Sequence, residues 1–311
     1  MLTNNLAQLK KAAKEGYAIP AINTQGGSYD IIWAICKAAE ELQSPIILAH
    51  YVATGAYSGH DWFVEVAKWC ANKVSVPVSI HLDHGSDFDI CMEALKLGFT
   101  SVMIDGSTKP IEENAAMTQE VVKVARAFNV PVEAEIGELQ RLDNGVVMEN
   151  KNIADPEQVR QFLSLCNPDT LAIGIGNAHG YYKGKPDIKL EVLEAVRQFS
   201  DIPLVLHGCT GMEESIIKDA IKLGVAKINF GTEVRYKYVQ HYEEALKTLN
   251  HQGHSWKLSQ FACNALSEAK TSETFAFHKG ELSIFASAKR FFNAGLSSII
   301  FSPRYTVLSH K

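Results

Sequence analysis

Three histidines in this chain stand in like settings. Each follows or closes a short apolar run and has glycine directly after it: His84 in His81-Leu-Asp-His84-Gly, His179 in Asn177-Ala-His179-Gly, and His207 in His207-Gly-Cys-Thr-Gly211. A single histidine at such a place is ordinarily a hydrogen-bonding residue of the framework. Histidines from three distant runs that converge at one rim can do more. Neutral imidazoles supply the three protein ligands of a catalytic zinc site, whose fourth position stays open for substrate. Other runs end in carboxylates and amides at Asn23, Asp105, Glu133, Glu135 and Asn229. Gly180, Gly208, Gly211 and Gly231 let backbone N–H groups approach an anion, which points to a phosphate, although a plain turn explains any one of them equally well.

The elements that must bring these groups together are short and regular. Eight apolar runs recur, at 18–22, 45–49, 77–81, 100–104, 131–135, 170–175, 203–207 and 226–230. Between them lie stretches of helical periodicity such as 29–42, 111–128, 156–165 and 212–223. The spacing of roughly thirty residues is one strand–helix unit, and the runs lack strong polar alternation, as strands buried on both faces do. Proline opens four of the runs, where a first residue can forgo its ladder donor. Eight such units predict a (β/α)8 TIM barrel, whose reactive groups stand at the carboxyl ends of the strands. An open doubly wound sheet is the competing fold, but the Asn23-Thr-Gln-Gly-Gly that follows the first run lacks its glycine fingerprint. The loops at 207–211 and 229–232 fall where barrel enzymes commonly hold a phosphate.

The third run leaves a choice open. Strict alternation puts His81 and Asp83 on one face and His84 on the other, which favours His81 as the ligand. A strand that ends by Leu82 instead frees His84 to swing over the mouth.

Composition narrows the class. The chain has 311 residues, 46% hydrophobic and 21% charged, with a net charge of -5 and a pI near 6.1. That is an ordinary globular composition without the basic field that draws nucleic acid or anionic membranes, so a small-molecule partner is expected. No apolar run nears the roughly 20 residues that span a bilayer, and residues 1–14 read as an amphipathic helix, so a cytoplasmic protein is expected. Six cysteines scattered singly, at 36, 70, 91, 166, 209 and 263, suit reduced thiols.

On Tyr17-Ala-Ile-Pro-Ala-Ile-Asn23, His81-Leu-Asp-His84, Met103-Ile-Asp-Gly-Ser107, Val132-Glu-Ala-Glu-Ile-Gly137, Gly176-Asn-Ala-His-Gly180, Leu204-Val-Leu-His-Gly208 and Lys227-Ile-Asn-Phe-Gly-Thr232, the chain resembles class II, zinc-dependent ketose-bisphosphate aldolases of the tagatose- and fructose-bisphosphate branch. The likeness runs over residues 6–266. It implies that His84 rather than His81 joins His179 and His207 on Zn²⁺, with Glu135 and Asp105 near an alternative metal position and room for a second cation, divalent or monovalent. It further implies that Asp83 is the proton donor and that Asn23 and Asn229 orient substrate oxygens. The phosphate of dihydroxyacetone phosphate would lie against Gly180, Gly208, Cys209, Thr210, Gly211, Asn229, Phe230, Gly231 and Thr232. The family also implies a homodimer or homotetramer. In this mechanism the metal is the electron sink when the carbon–carbon bond breaks, so no Schiff base is needed.

The chain departs from the family pattern in three places. The family's paired glycines after Glu135 are replaced by Gln140-Arg141, and its loop acid by Asp143, with Glu138 and Glu149 as rival bases. After the second run, His50-Tyr51 and Thr54 stand where a serine or threonine is usual. Residues 267–311 match nothing in the family, giving a barrel domain at 1–266 followed by an extension. Two rival readings are a Schiff-base aldolase using Lys227, for which a buried ion pair is the alternative role, and a non-catalytic sugar-phosphate binding protein. Arg235 is a candidate for a second phosphate, or for a solvated helix face. Asp83 could equally cap the helix that follows it.

Overall fold

The structure is a computed structural model and describes residues 1–137, 140–141, 153–182, 186–248, 257, 259–260 and 263–265. Among the described residues the strands, numbered along the chain, are β1 (Ile19–Asn23), β2 (Ile46–Tyr51), β3 (Val78–Gly85), β4 (Ser101–Ile104), β5 (Val132–Ile136), β6 (Gln140–Arg141), β7 (Thr170–Ile173), β8 (Ala178–His179), β9 (Leu204–Leu206) and β10 (Val225–Phe230). All but β6 and β8 close into one parallel barrel in the order β1-β2-β3-β4-β5-β7-β9-β10, with β10 pairing back onto β1. The two-residue strands β6 and β8 pair with each other, Arg141 beside His179.

Helix α1 (Leu6–Glu15) precedes the barrel. The connections carry α2 (Tyr29–Glu41), α3 (Val52–Ser58), α4 (His60–Ala71), α5 (Phe88–Leu97), α6 (Ile111–Ala127), α7 (Pro156–Leu165), α8 (Leu190–Arg197) and α9 (Glu214–Lys222), and α10 (Thr232–Thr248) follows β10. Local chemistry starts them. Asp87 caps α5 by accepting the Ile90 N–H at 2.9 Å, and Asp155 caps α7 by accepting the Glu157 N–H at 3.0 Å, with Pro156 in the first turn. Packing holds them. On α2, for example, Ile31, Ile32 and Ile35 are buried against the barrel, and each such side chain contributes about 1.5–3 kcal/mol. No helix among the described residues is long and apolar enough to cross a membrane.

The chain is therefore a (β/α)8 barrel, as the eightfold spacing predicts. The strands differ from the sequence reading in one respect that matters for the site. On β3, β5 and β10 the alternation is strong: Val78, Ile80, Leu82, Val132, Ala134 and Ile228 face the helices, whereas Ser79, His81, Glu133, Lys227 and Asn229 are buried polar groups. Contacts between β10 and β5, which are not neighbours in the sheet, must cross the barrel interior, so the polar residues point inward. Below them the floor is apolar, with Leu9 and Ala12 of α1 packed against Ile19, Ala21, Ile47 and Ala226.

Candidate active site

Local backbone geometry sets the candidate ligand histidines. Strand β3 does not stop at His81 or Leu82 but runs to Gly85, and its register against β4 shifts between Leu82 and Gly85. Within that irregularity His84 takes the left-handed conformation, φ +55°. The extra residue breaks period two and turns the His84 ring to the mouth. His81 keeps the inward phase and lies deeper, with Nδ1 2.8 Å from Ser101 Oγ and Nε2 3.1 Å from Lys227 Nζ, so both its nitrogens are engaged.

At the mouth the His84, His179 and His207 rings gather, with centroids 4.8 Å apart for His84 and His207 and 5.3 Å for His84 and His179. One nitrogen from each lies within 4.8 Å of the other two. Asp105 Oδ2 stands 2.7 Å from His84 Nδ1, and His84 Nε2 is buried with no hydrogen-bond partner among the described residues. That is the arrangement of a metal-binding imidazole, with a carboxylate orienting one nitrogen and the other left for the ion. Three convergent nitrogen donors and one open direction fit zinc. His84, Asp105 and Glu135 form a second group close enough for a cation, on the Nδ1 side of His84.

Charge follows the same geometry. Burial alone lowers the His84 pKa, but the Asp105 hydrogen bond and the Asp83, Glu135 and Asp105 carboxylates outweigh it and hold it up at about 9. Asp105, though burial raises it, is kept well below the usual carboxylate range by its bond to that imidazolium. Burial and the neighbouring His84 and Lys227 cations keep His207 neutral.

Beside the histidines, Asp83 is 7% exposed, and its Oδ1 accepts from Asn229 Nδ2 at 3.1 Å. It does not cap the next helix, because Asp87 does that. The cavity here encloses about 360 Å³ and is lined by Asn23, Asp83, His84, His179, Gly180, Gly208, Thr210, Asn229, Phe230, Gly231 and Thr232. The start of α10 reaches this lining at Thr232, and the Glu233 N–H donates to Thr210 Oγ1 at 3.4 Å; a helix N-terminus is a ready place for an anion. A larger hollow of about 800 Å³ at the opposite end of the barrel, between Lys14, Arg126 and Arg197, holds neither of these ligand groups.

The model of the family "Fructose-bisphosphate aldolase class-II" matches residues 3–289. The chain belongs to this family. A "Probable fructose-bisphosphate aldolase" of Bacillus subtilis is 40% identical over 248 residues, covering 79% of this chain and 86% of the relative. The "D-tagatose-1,6-bisphosphate aldolase subunit GatY" of Klebsiella oxytoca is 36% identical over 259 residues, covering 82% and 90%. Among solved structures, the YdjI aldolase from Escherichia coli K12 superposes with a TM-score of 0.78 at 29% identity, covering 89% of this chain and 98% of that one. The chain is thus a class II aldolase, a lyase acting on ketose bisphosphates. The family match runs to residue 289, beyond the 6–266 of the sequence resemblance.

In this aldolase most of the anticipated residues meet at the one cavity, but not all. Cys209, Gly211, His207, Asp105 and Glu135 are absent from the lining, although the last three belong to the two clusters that share His84, which does line it. The Cys209 thiol faces the Leu206 and His207 carbonyls at 3.4 and 3.7 Å, its N–H is spent on the Asn229 carbonyl at 3.4 Å, and burial pushes its pKa up. Asp143, Glu138 and Glu149 lie outside the described residues, as does the extension at 267–311. Lys227 is fully buried and ion-paired with Glu133, the alternative to a Schiff-base role. Tyr51, Thr54 and Arg235 line the cavity, whereas His50 is buried and stacked on Phe63 at 4.2 Å. Gln25 was not anticipated. It lines the cavity at φ +53° and bonds Asn23 Oδ1 and the Gly231 carbonyl, and its one sequence signal is its place in the polar stretch after β1.

Proposed function

We propose that this aldolase carries out zinc-dependent, reversible aldol cleavage of a ketose bisphosphate, such as fructose- or tagatose-1,6-bisphosphate, to dihydroxyacetone phosphate and glyceraldehyde 3-phosphate. The observation that carries this reading is the convergence of His84, His179 and His207, two of which, His84 and His179, line one glycine-rimmed cavity together with Asp83. Bound zinc would polarise the substrate ketone and accept negative charge as the carbon–carbon bond opens.

The remaining work falls to side chains. Asp83 takes the proton of the hydroxyl that becomes the aldehyde, and returns it in the condensation direction. Asn229 holds that carboxylate in place through its 3.1 Å hydrogen bond. Asn23 stands across the cavity, its Oδ1 accepting from the Gln25 N–H at 2.9 Å, and we assign it to a substrate oxygen. The phosphate of the three-carbon fragment is assigned to the Gly180, Gly208, Thr210 and Gly231 backbone and to the first turn of α10. The proton on that fragment is assigned to Asp143. A homodimer or homotetramer acting in the cytosol completes the reading.

A coupled cleavage assay over ketose mono- and bisphosphates, with and without chelator, tests it. EDTA should abolish cleavage and zinc should restore it, with a bisphosphate preferred. Metal-free protein that keeps its full rate in excess EDTA would end the proposal.

A further inference from the structure

Behind the metal ligands, buried polar side chains join into an unbroken chain. Lys227 Nζ lies 2.8 and 2.9 Å from the two Glu133 oxygens and 3.1 Å from His81 Nε2. Glu133 Oε1 in turn stands 3.0 Å from His207 Nε2. On the other side, His81 Nδ1 is 2.8 Å from Ser101 Oγ, which also accepts from Asn5 Nδ2 at 3.1 Å. Hydrogen bonds therefore run from the start of α1 at the barrel floor to a ligand at its mouth. None of the six residues is more than 3% exposed.

Lys227 dictates the polarity of this chain. An ammonium group has three protons and no lone pair, and three acceptors surround it here. His81 must accept at Nε2 and so carries its own proton at Nδ1, towards Ser101. Glu133, ionised opposite the ammonium, can only accept. His207 must then carry its proton on Nε2, which leaves the lone pair on Nδ1, the nitrogen 3.3 Å from the cavity residue Asn229. An apolar pair of similar size would hold a barrel together as well as a buried ion pair does, or better, so stability does not explain Lys227 and Glu133.

We propose that Glu133 and Lys227 are positioning residues for the metal site: Lys227 anchors Glu133, and Glu133 fixes His207 in the tautomer and orientation that present Nδ1 to the ion. This rests on the metal-site reading above. Neither residue touches substrate, and their effect is read in metal binding without any turnover.

The test compares zinc affinity by chelator competition, and the visible spectrum of the Co²⁺-loaded protein, in the wild type and in two double variants. K227M/E133L replaces the ion pair by an apolar pair and leaves no unpaired buried charge, so it should fold. It should bind zinc about 10–100-fold more weakly, with altered Co²⁺ bands. K227M/E133Q restores an oxygen that can accept from His207 Nε2 and should recover part of the loss. Unchanged zinc affinity and Co²⁺ spectrum in K227M/E133L overturn the proposal, as does a K227M/E133Q variant that recovers nothing. A wild type that binds neither ion refutes the metal-site reading itself. Equal binding by wild type and variants refutes only the positioning role.

Discussion

Gly208→Ala probes whether backbone packing sets the distance between two of the ligand loops. Gly208 follows His207 and has φ +66°, and a Cβ built there stands 2.4 Å from the carbonyl oxygen of Ala178, the residue before His179. Real Cβ contacts essentially never fall below 3.0 Å, so the loops must separate by roughly the difference of 0.6 Å. They are not free to do so elsewhere, because Asn177 Nδ2 donates to the His207 carbonyl at 2.8 Å and the Tyr182 hydroxyl bridges Ala178 and Gly208. Metal–ligand distances tolerate only about 0.2 Å, and disturbing the support of a ligand typically lowers affinity about 10–100-fold. A loss of that size in zinc affinity is expected from chelator competition. The left-handed alanine adds about 1–2 kcal/mol of destabilisation. Gly16→Ala is the control: φ is +74° but nothing lies within 4 Å of its Cβ. It should share the backbone penalty, a Tm lower by about 2–8 °C, and keep its zinc affinity. If the two variants bind zinc alike, packing at Gly208 does not set the ligand spacing.

Asp83→Asn should lower kcat for cleavage by about 10²–10⁴-fold with zinc content unchanged, and a near-normal kcat would remove Asp83 from the proton-donor role. Borohydride added during turnover should leave Lys227 unmodified by mass spectrometry, since its nitrogen is buried and bonded to Glu133 and His81; a reduced substrate adduct there would replace the metal route with a Schiff base. Metal uptake should release a proton. In the metal-free protein His84 has its pKa raised from 6.5 to about 9, so its charge stabilises the empty fold fully below pH 6.5, and that contribution disappears as pH rises through 9. Zinc competes with that proton, so its apparent affinity should climb about tenfold per pH unit from pH 7 to 9 and then level off. Calorimetry in buffers of different protonation enthalpy measures this, and the absence of proton release at pH 7.5 would contradict it.

Much of the site was legible because (β/α)8 geometry gathers strand ends wherever they fall in the chain. Once eight apolar runs are counted, the groups that follow them must share one rim, and Asn23, Asp83, His179, His207 and Asn229 could be placed together without coordinates. Helix starts at Asp87 and Asp155 are equally local, because a cap depends on three or four residues. Cys209 misled for the same reason that its neighbours did not. Its place in a glycine-rich turn says nothing about which way one thiol points, and in the fold it turns to the Leu206 carbonyl.

The sequence by itself determined the barrel, the polar rim and the set of histidines offered as candidate ligands, since all three depend on spacing along the chain. The choice of His84 over His81 from geometry had to wait for the tertiary structure. A left-handed residue and a register shift between β3 and β4 reverse the phase of a strand, and period-two counting cannot register either. The same holds for the Lys227–Glu133–His207 chain. Its members are separated by up to 94 residues, and only closure of the barrel brings β10 across from β5, so no local pattern could have paired them.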